Sequence, residues 1–217
     1  MDIRRTSARP PLLRGYIHLA VAFVTPFALV VLLLIADSPR DYVGAAIFGA
    51  SLILVYTTSA VYHVAPWNAR NRGIMRRIDH SMIFLFIAGT YTPFTLKLLD
   101  NAWGISILSV VWGLASVGIV LKVIAPGVPR WLGVSLYIAL GWVGLIPAAQ
   151  IAASLPFDAL ALMIAGGLLY SVGGIFYMAR WPDPFPRVFG FHETFHSMVA
   201  LASVMFYFVV ADHVLPY

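Results

Sequence analysis

The sequence predicts an all-α integral membrane protein, a bundle of seven transmembrane helices. Three observations carry that fold class. The chain of 217 residues is 61% hydrophobic and only 11% charged, with a mean hydropathy of +0.88. Apolar runs of about 18 residues or more mark membrane helices, and such runs recur along the whole chain. The basic residues, finally, alternate from one inter-span connection to the next.

The spans fall at roughly 16–36, 42–65, 80–98, 103–123, 131–152, 158–179 and 191–213. Each is close to the ~20 residues that a bilayer core requires. The first follows Arg14; it has no small-residue cleavage site and more spans come after it, so it reads as a span rather than a signal peptide. The breaks carry helix-ending chemistry: Asp37-Ser38-Pro39, Asp100-Asn101, Pro126-Gly127-Val128-Pro129 and Pro182-Asp183-Pro184. Pro26, Pro93 and Pro147 lie inside spans and are expected to kink them. Gly166, Gly167, Gly173 and Gly174 form two pairs seven residues apart, which puts them on one face where a neighbouring helix can approach closely. Trp67, Trp103, Trp131 and Trp181 sit at span ends, as interfacial aromatics do. No segment reads as a separate soluble domain, so residues 1–217 are expected to form a single membrane domain.

Charge sets the expected orientation. One side holds Arg4, Arg5, Arg9, Arg14, Arg70, Arg72, Arg76, Arg77, Lys122, Arg130, Arg180 and Arg187; the other holds Arg40 and Lys97, a split of 12 to 2. By the positive-inside rule the N-terminus is cytoplasmic and the C-terminus outside. The net charge of +5 is thereby explained by topology and lipid headgroups, and nucleic acid is not an expected partner. Cysteine is absent, so there is no disulfide, and a zinc site must use histidine and carboxylate ligands.

Ionisable groups inside spans are costly and mark function. They are His18, His63, Asp79, His80, His192, Glu193 and His196. His63 closes the second span, Asp79 and His80 open the third, and His192, Glu193 and His196 open the seventh. All share one depth on the cytoplasmic side. His192 and His196 are one helical turn apart on one face, and His63 can supply a third imidazole. Three protein ligands plus a water is the pattern of a catalytic zinc site, in which the metal acidifies the water. Asp79 and Glu193 are the candidate carboxylates. Ser59 shares the face of His63, where it can serve the site or bond its own helix. His18 stands alone with no partner at matching spacing. His80 points about 100° from Asp79 on a helix and is expected to pack or to meet the headgroups.

At these residues the chain resembles a known family. Ser59-Ala60-Val61-Tyr62-His63 is similar to the S-x-x-x-H of the progestin and adipoQ receptor family. Arg77-Ile78-Asp79-His80, Ile87-Ala88-Gly89-Thr90-Tyr91-Thr92-Pro93-Phe94 and the pair His192 and His196 resemble its bacterial branch, the hemolysin III proteins. Tyr137-Ile138-Ala139-Leu140-Gly141-Trp142 and residues 166–173 fit as well. The resemblance implies seven helices in a bacterial plasma membrane and Zn2+ on His63, His192 and His196 towards the cytoplasmic side. It further implies Asp79 on the zinc-held water and Ser59 beside it. The superfamily includes alkaline ceramidases, so it also implies zinc-dependent hydrolysis of a lipid amide or ester, with membrane lipid as substrate. Two departures stand out. Many bacterial members carry a Thr-His pair where this chain has Ile17-His18, and the position of Glu193 varies in the family.

Three functions remain open at this point. The first is that lipid hydrolase. The second is an intramembrane zinc protease, suggested by the literal H-E-x-x-H of residues 192–196; its further acidic ligand is missing, since the only later acid, Asp212, lies at the far end of the span. The third is a non-enzymatic receptor, membrane-homeostasis factor or cytolysin, in which zinc ties helices together.

Overall fold

A computed structural model describes residues 11–99, 101–125 and 127–217. Arg4, Arg5, Arg9, Asp100 and Pro126 of the charge and loop patterns lie outside the described residues. The described chain is helical, with a single isolated bridge between Phe185 and Phe189. In chain order the helices are α1 (Tyr16–Ile35), α2 (Pro39–Val64), α3 (Ala69–Lys97), α4 (Asn101–Ile124), α5 (Arg130–Gly141), α6 (Ala148–Ser154), α7 (Phe157–Ala179) and α8 (Phe191–Val209).

Local chemistry sets several boundaries. Ser38 and Asp41 form a reciprocal capping box with Pro39 at the first helical position, which starts α2. Asn68 accepts from Asn71 N at 2.8 Å and starts α3. That helix begins eleven residues before the span expected at 80–98, because arginines are good helix formers and hydropathy registers only the apolar part. The expected fifth span is broken: α5 runs through a 3-10 turn, Trp142–Leu145, and α6 leaves it at 58°. Pro147 stands at the break, where it cannot donate the hydrogen bond that would continue the helix. Pro26 and Pro93 instead lie within continuous α1 and α3. After α8 the helix widens into one π turn, Val210–Val214, with Leu215 N bonded to Val210 O.

Five of the helices, α1, α2, α4, α7 and α8, are long and apolar enough to cross a membrane; the bent pair α5–α6 passes the same test as a unit and makes six. α3 is not among them, because even its apolar half carries His80, Thr90, Thr92, Pro93, Thr95 and Lys97. Apolar side chains on these helices turn outward, with Phe23 71%, Phe27 73% and Leu34 78% exposed. In water such a surface would aggregate; in a bilayer it is the lipid-facing side.

Packing is sequential for the first half, α1 on α2, α2 on α3 and α3 on α4; α7 packs on α8, α8 returns to α1, and α5 bridges α3 and α7. Small residues set the distances. On α7, Gly166 faces Phe206 and Ala202 of α8 and Gly173 faces Met198, while Gly174 faces Val134 of α5; Gly167 lines a cavity instead. The interior between these helices holds Phe48, Leu52, Tyr56, Phe84 and Phe86, each 4% exposed or less.

Gly15 leads into α1 with φ +85°, and an added Cβ would fall 2.6 Å from Cβ of His63. Two demands therefore meet at one residue: a left-handed backbone and close passage over α2. Gly15→Ala is expected to cost about 1–2 kcal/mol from the backbone alone and to displace the His63 side chain. Thermal unfolding in detergent checks the first. A melting temperature equal to wild type would contradict the strain.

Candidate metal centre

Antiparallel packing brings the ends of α1, α2 and α8 together beside the first half of α3. His18 lies in the first turn of α1, Ser59 and His63 in the last two turns of α2, Asp79 and His80 in α3, and His192 and His196 in the first two turns of α8. His63, His192 and His196 each offer a ring nitrogen, and these atoms lie within 4.8 Å of one another. His192 Nε2 and His63 Nε2 are 3.2 Å apart, and their rings meet edge to face. His196 is 2% exposed, and its Nδ1 has no hydrogen-bond partner among the described residues. Imidazoles that crowd together with a nitrogen unsatisfied have lone pairs to give. A set of three suits a transition-metal ion, so the residues present fit a metal.

Asp79 stands beside this group and outside it. Its carboxylate is a side-chain hydrogen-bonding neighbour of Ser59 and lies 3.5 Å from His80 Nδ1. His80, expected to pack or to meet the headgroups, lines the same cavity. Its Nδ1 is 2.7 Å from the Arg76 carbonyl oxygen, and its backbone carbonyl accepts from Tyr137.

His18 is the residue that sequence reasoning undervalued. It is 4% exposed. Its Nδ1 is hydrogen-bonded to Ser59 Oγ at 2.8 Å, and its ring stacks on His196 with centroids 3.7 Å apart and planes 10° apart. One side chain thus holds both the serine and one of the three histidines. The available signal was depth: a helix that begins at Tyr16 and packs antiparallel to α2 puts its first turn level with the last turns of α2.

Glu193 separates from the histidines between which it sits. At one position from His192 and three from His196 it projects from another side of α8. It is fully buried, pairs with the Arg14 guanidinium and accepts from the Gly190 N–H at 2.9 Å. Nearby, Leu12 N donates to Arg187 O and Leu13 N to Val188 O. The carboxylate therefore caps α8 and ties the lead-in of α1 to it. A base in the manner of a zinc protease would have to face the metal.

His18, His192, His196, Ser59 and Asp79 line a cavity of about 450 Å³. Its wall is mainly apolar and reaches Tyr91, Trp142, Met163 and Phe206 deep between α3, α5, α7 and α8.

The model of the family described as "Haemolysin-III related" matches residues 6–207. The chain belongs to the haemolysin-III-related family. The "Hemolysin-3 homolog" of Bacillus subtilis (strain 168) is 39% identical over 189 residues, 84% of either chain. The "Hemolysin-3" of Bacillus cereus is 34% identical over 195 residues, 87% of this chain and 84% of the relative. At 27% identity over 169 residues, 70% of this chain and 73% of the relative, it is similar to the "Heptahelical transmembrane protein ADIPOR2" of Oryza sativa subsp. japonica. The link from haemolysin III to the progestin and adipoQ receptor family therefore stands, and the chain is a multi-pass membrane protein.

Two outcomes follow from the geometry. His18→Ala should retain the fold and weaken divalent metal binding about 10- to 100-fold, the usual effect of removing a support of a ligating histidine; competition with a metal-sensitive dye measures it, and unchanged affinity would deny His18 that part. Glu193→Gln should lower stability by about 1–3 kcal/mol by breaking a partly buried, charge-assisted pair, while metal content stays at the wild-type level. Loss of metal with unchanged melting would place the carboxylate at the metal instead.

Proposed function

We propose that this haemolysin III protein is a seven-span, zinc-dependent hydrolase of a lipid amide or ester. The observation that carries the proposal is the convergence of His63, His192 and His196 beside Asp79 and Ser59 at the head of an apolar cavity. Three neutral nitrogen ligands and a nearby carboxylate suit catalytic zinc. Two features support seven spans: α3 and the bent α5–α6 pair complete the set, and the rice relative is named heptahelical. The strong excess of arginine and lysine at the histidine end supports a cytoplasmic N-terminus, a site towards the cytoplasm and residence in the bacterial plasma membrane.

Zinc held by the three histidines supplies Lewis-acid chemistry, acidifying water and polarising a carbonyl. The chain's own groups do the rest. The Asp79 carboxylate takes the proton of the attacking water and returns one to the leaving amine or alcohol. The Ser59 hydroxyl, held by His18 Nδ1, donates to the Asp79 carboxylate in the resting site and, once Asp79 has taken the water's proton, turns to the oxygen on which charge develops. The cavity wall holds the acyl chain and keeps bulk water away.

The purified protein is expected to carry about one zinc per chain, as in other sites of this ligand type. His63→Ala, His192→Ala and His196→Ala should each lower that content sharply, as measured by mass spectrometry of the metal. Asp79→Asn should keep zinc and lose release of fatty acid from a broad lipid panel. Zinc lost from the Asp79 variant would make that aspartate a ligand. A zinc-loaded wild type that releases nothing would favour the non-enzymatic reading, in which the metal ties α2 to α8.

A further inference from the structure

Beside the histidine group, the rim of the cavity carries polar groups that are not among the three candidate ligands, with the Tyr177 ring 5.3 Å from that of His192. Tyr137 and Tyr177 line it with His80. Tyr137 donates its hydroxyl to the His80 carbonyl at 2.9 Å, and the Tyr177 hydroxyl is 3.5 Å from His80 Nε2. Each tyrosine carries a cation on its ring. Lys122 Nζ lies 5.4 Å from the Tyr137 centroid, and the Arg130 guanidinium lies 4.8 Å from that of Tyr177.

Both cations are held in place. Arg130 also donates to the Tyr177 carbonyl at 3.2 Å. Lys122 passes over the first turn of α5, so close that a Cβ on Gly133 would fall 2.6 Å from Nζ. Among the described residues neither cation pairs with a carboxylate. Two fixed cations, each lying on a tyrosine that lines the apolar cavity and neither paired with a carboxylate, form the polar side of an amphipathic receptor. An uncharged head would leave both without a counter-charge. Basic pockets between membrane helices on the cytoplasmic side take anionic lipid heads, and cation–π contacts orient the cations without neutralising them.

We propose that the cavity binds an anionic membrane lipid, its phosphate-bearing head at Lys122 and Arg130 and an acyl chain between α3, α5, α7 and α8. His80 follows Asp79 directly, so a head on this rim brings the first carbonyl of the chain to the side of the cavity that holds Asp79 and the histidines. The binding claim stands without a metal. Its extension, that the hydrolysed lipid is anionic, rests on the function proposed above.

The test is native mass spectrometry of the full chain in neutral detergent, with equal phosphatidylglycerol and phosphatidylcholine of matched chains. Wild type should retain the anionic lipid with a preference of about tenfold, the scale expected from two basic contacts near a membrane surface. Lys122→Met with Arg130→Met should bring the two lipids to parity, and Lys122→Arg with Arg130→Lys should keep the preference. Arg70→Gln, an exposed cation at the start of α3, should also keep it. Ala152→Trp, which fills the cavity from α6 and leaves both cations, should lower retention of the anionic lipid. Millimolar inorganic phosphate should not displace the lipid. Parity in wild type, a preference that survives the double methionine variant, an equal loss in Arg70→Gln, unchanged retention in Ala152→Trp or displacement by phosphate would each overturn the assignment. The metal-poor His192→Ala variant should keep the preference, so failure of lipid selection and failure of the metal reading are read separately.

Discussion

The site depends on how the first turn of α8 is held against the last turn of α2. Glu193 does this from inside the protein. Its carboxylate takes the Gly190 N–H at the helix start and the Arg14 guanidinium from the lead-in of α1. A fully buried charge is costly unless it is paired and hydrogen-bonded, so α8 can begin only where Arg14 meets it. Gly15 follows at once, passing over His63, and α1 then places His18 on Ser59 and on the ring of His196. The ion pair, the close passage of Gly15 and the contacts of His18 together hold the start of α1 against α2 and α8, where helix packing brings the three imidazoles within reach of one another.

The rest of the bundle supplies what three histidines cannot. The break at Pro147 bends α6 away from α5, and Gly167 adds no side chain to the wall, which together leave room beside α7. The resulting cavity has apolar walls and polar groups gathered at one end. That distribution suits a molecule with a long apolar chain and one reactive or charged end. It also gives the string of residues 192–196 a meaning different from its protease reading: two members face the site and the glutamate between them builds the scaffold.

Much was legible because it is periodic or additive. The apolar segments, most loop breaks and the one-turn spacing of His192 and His196 follow from hydropathy and helix geometry; the described helices overlap those segments, with the fifth broken into α5 and α6 and five or six of the helices long and apolar enough to cross a membrane. What escaped was what depends on neighbours. His18 looked solitary because its partners, Ser59 and His196, are 41 and 178 positions away in the chain. The early start of α3 escaped because arginines extend a helix without adding hydropathy. The paired placement of Lys122 and Arg130 on two tyrosines was invisible because each looked like one more basic residue at a span end.

The sequence by itself determined that this is a helical membrane protein with histidines at one depth, and that membership of the haemolysin-III-related family runs along nearly its whole length. Composition and period suffice for this, because a bilayer rewards apolar length and penalises every charge it contains. The tertiary structure decided which polar residues meet. Which face of each helix turns inward depends on close packing at positions such as Gly166 and Gly173, and on a buried ion pair. Those contacts join residues far apart in sequence, and no pattern along a single helix encodes them.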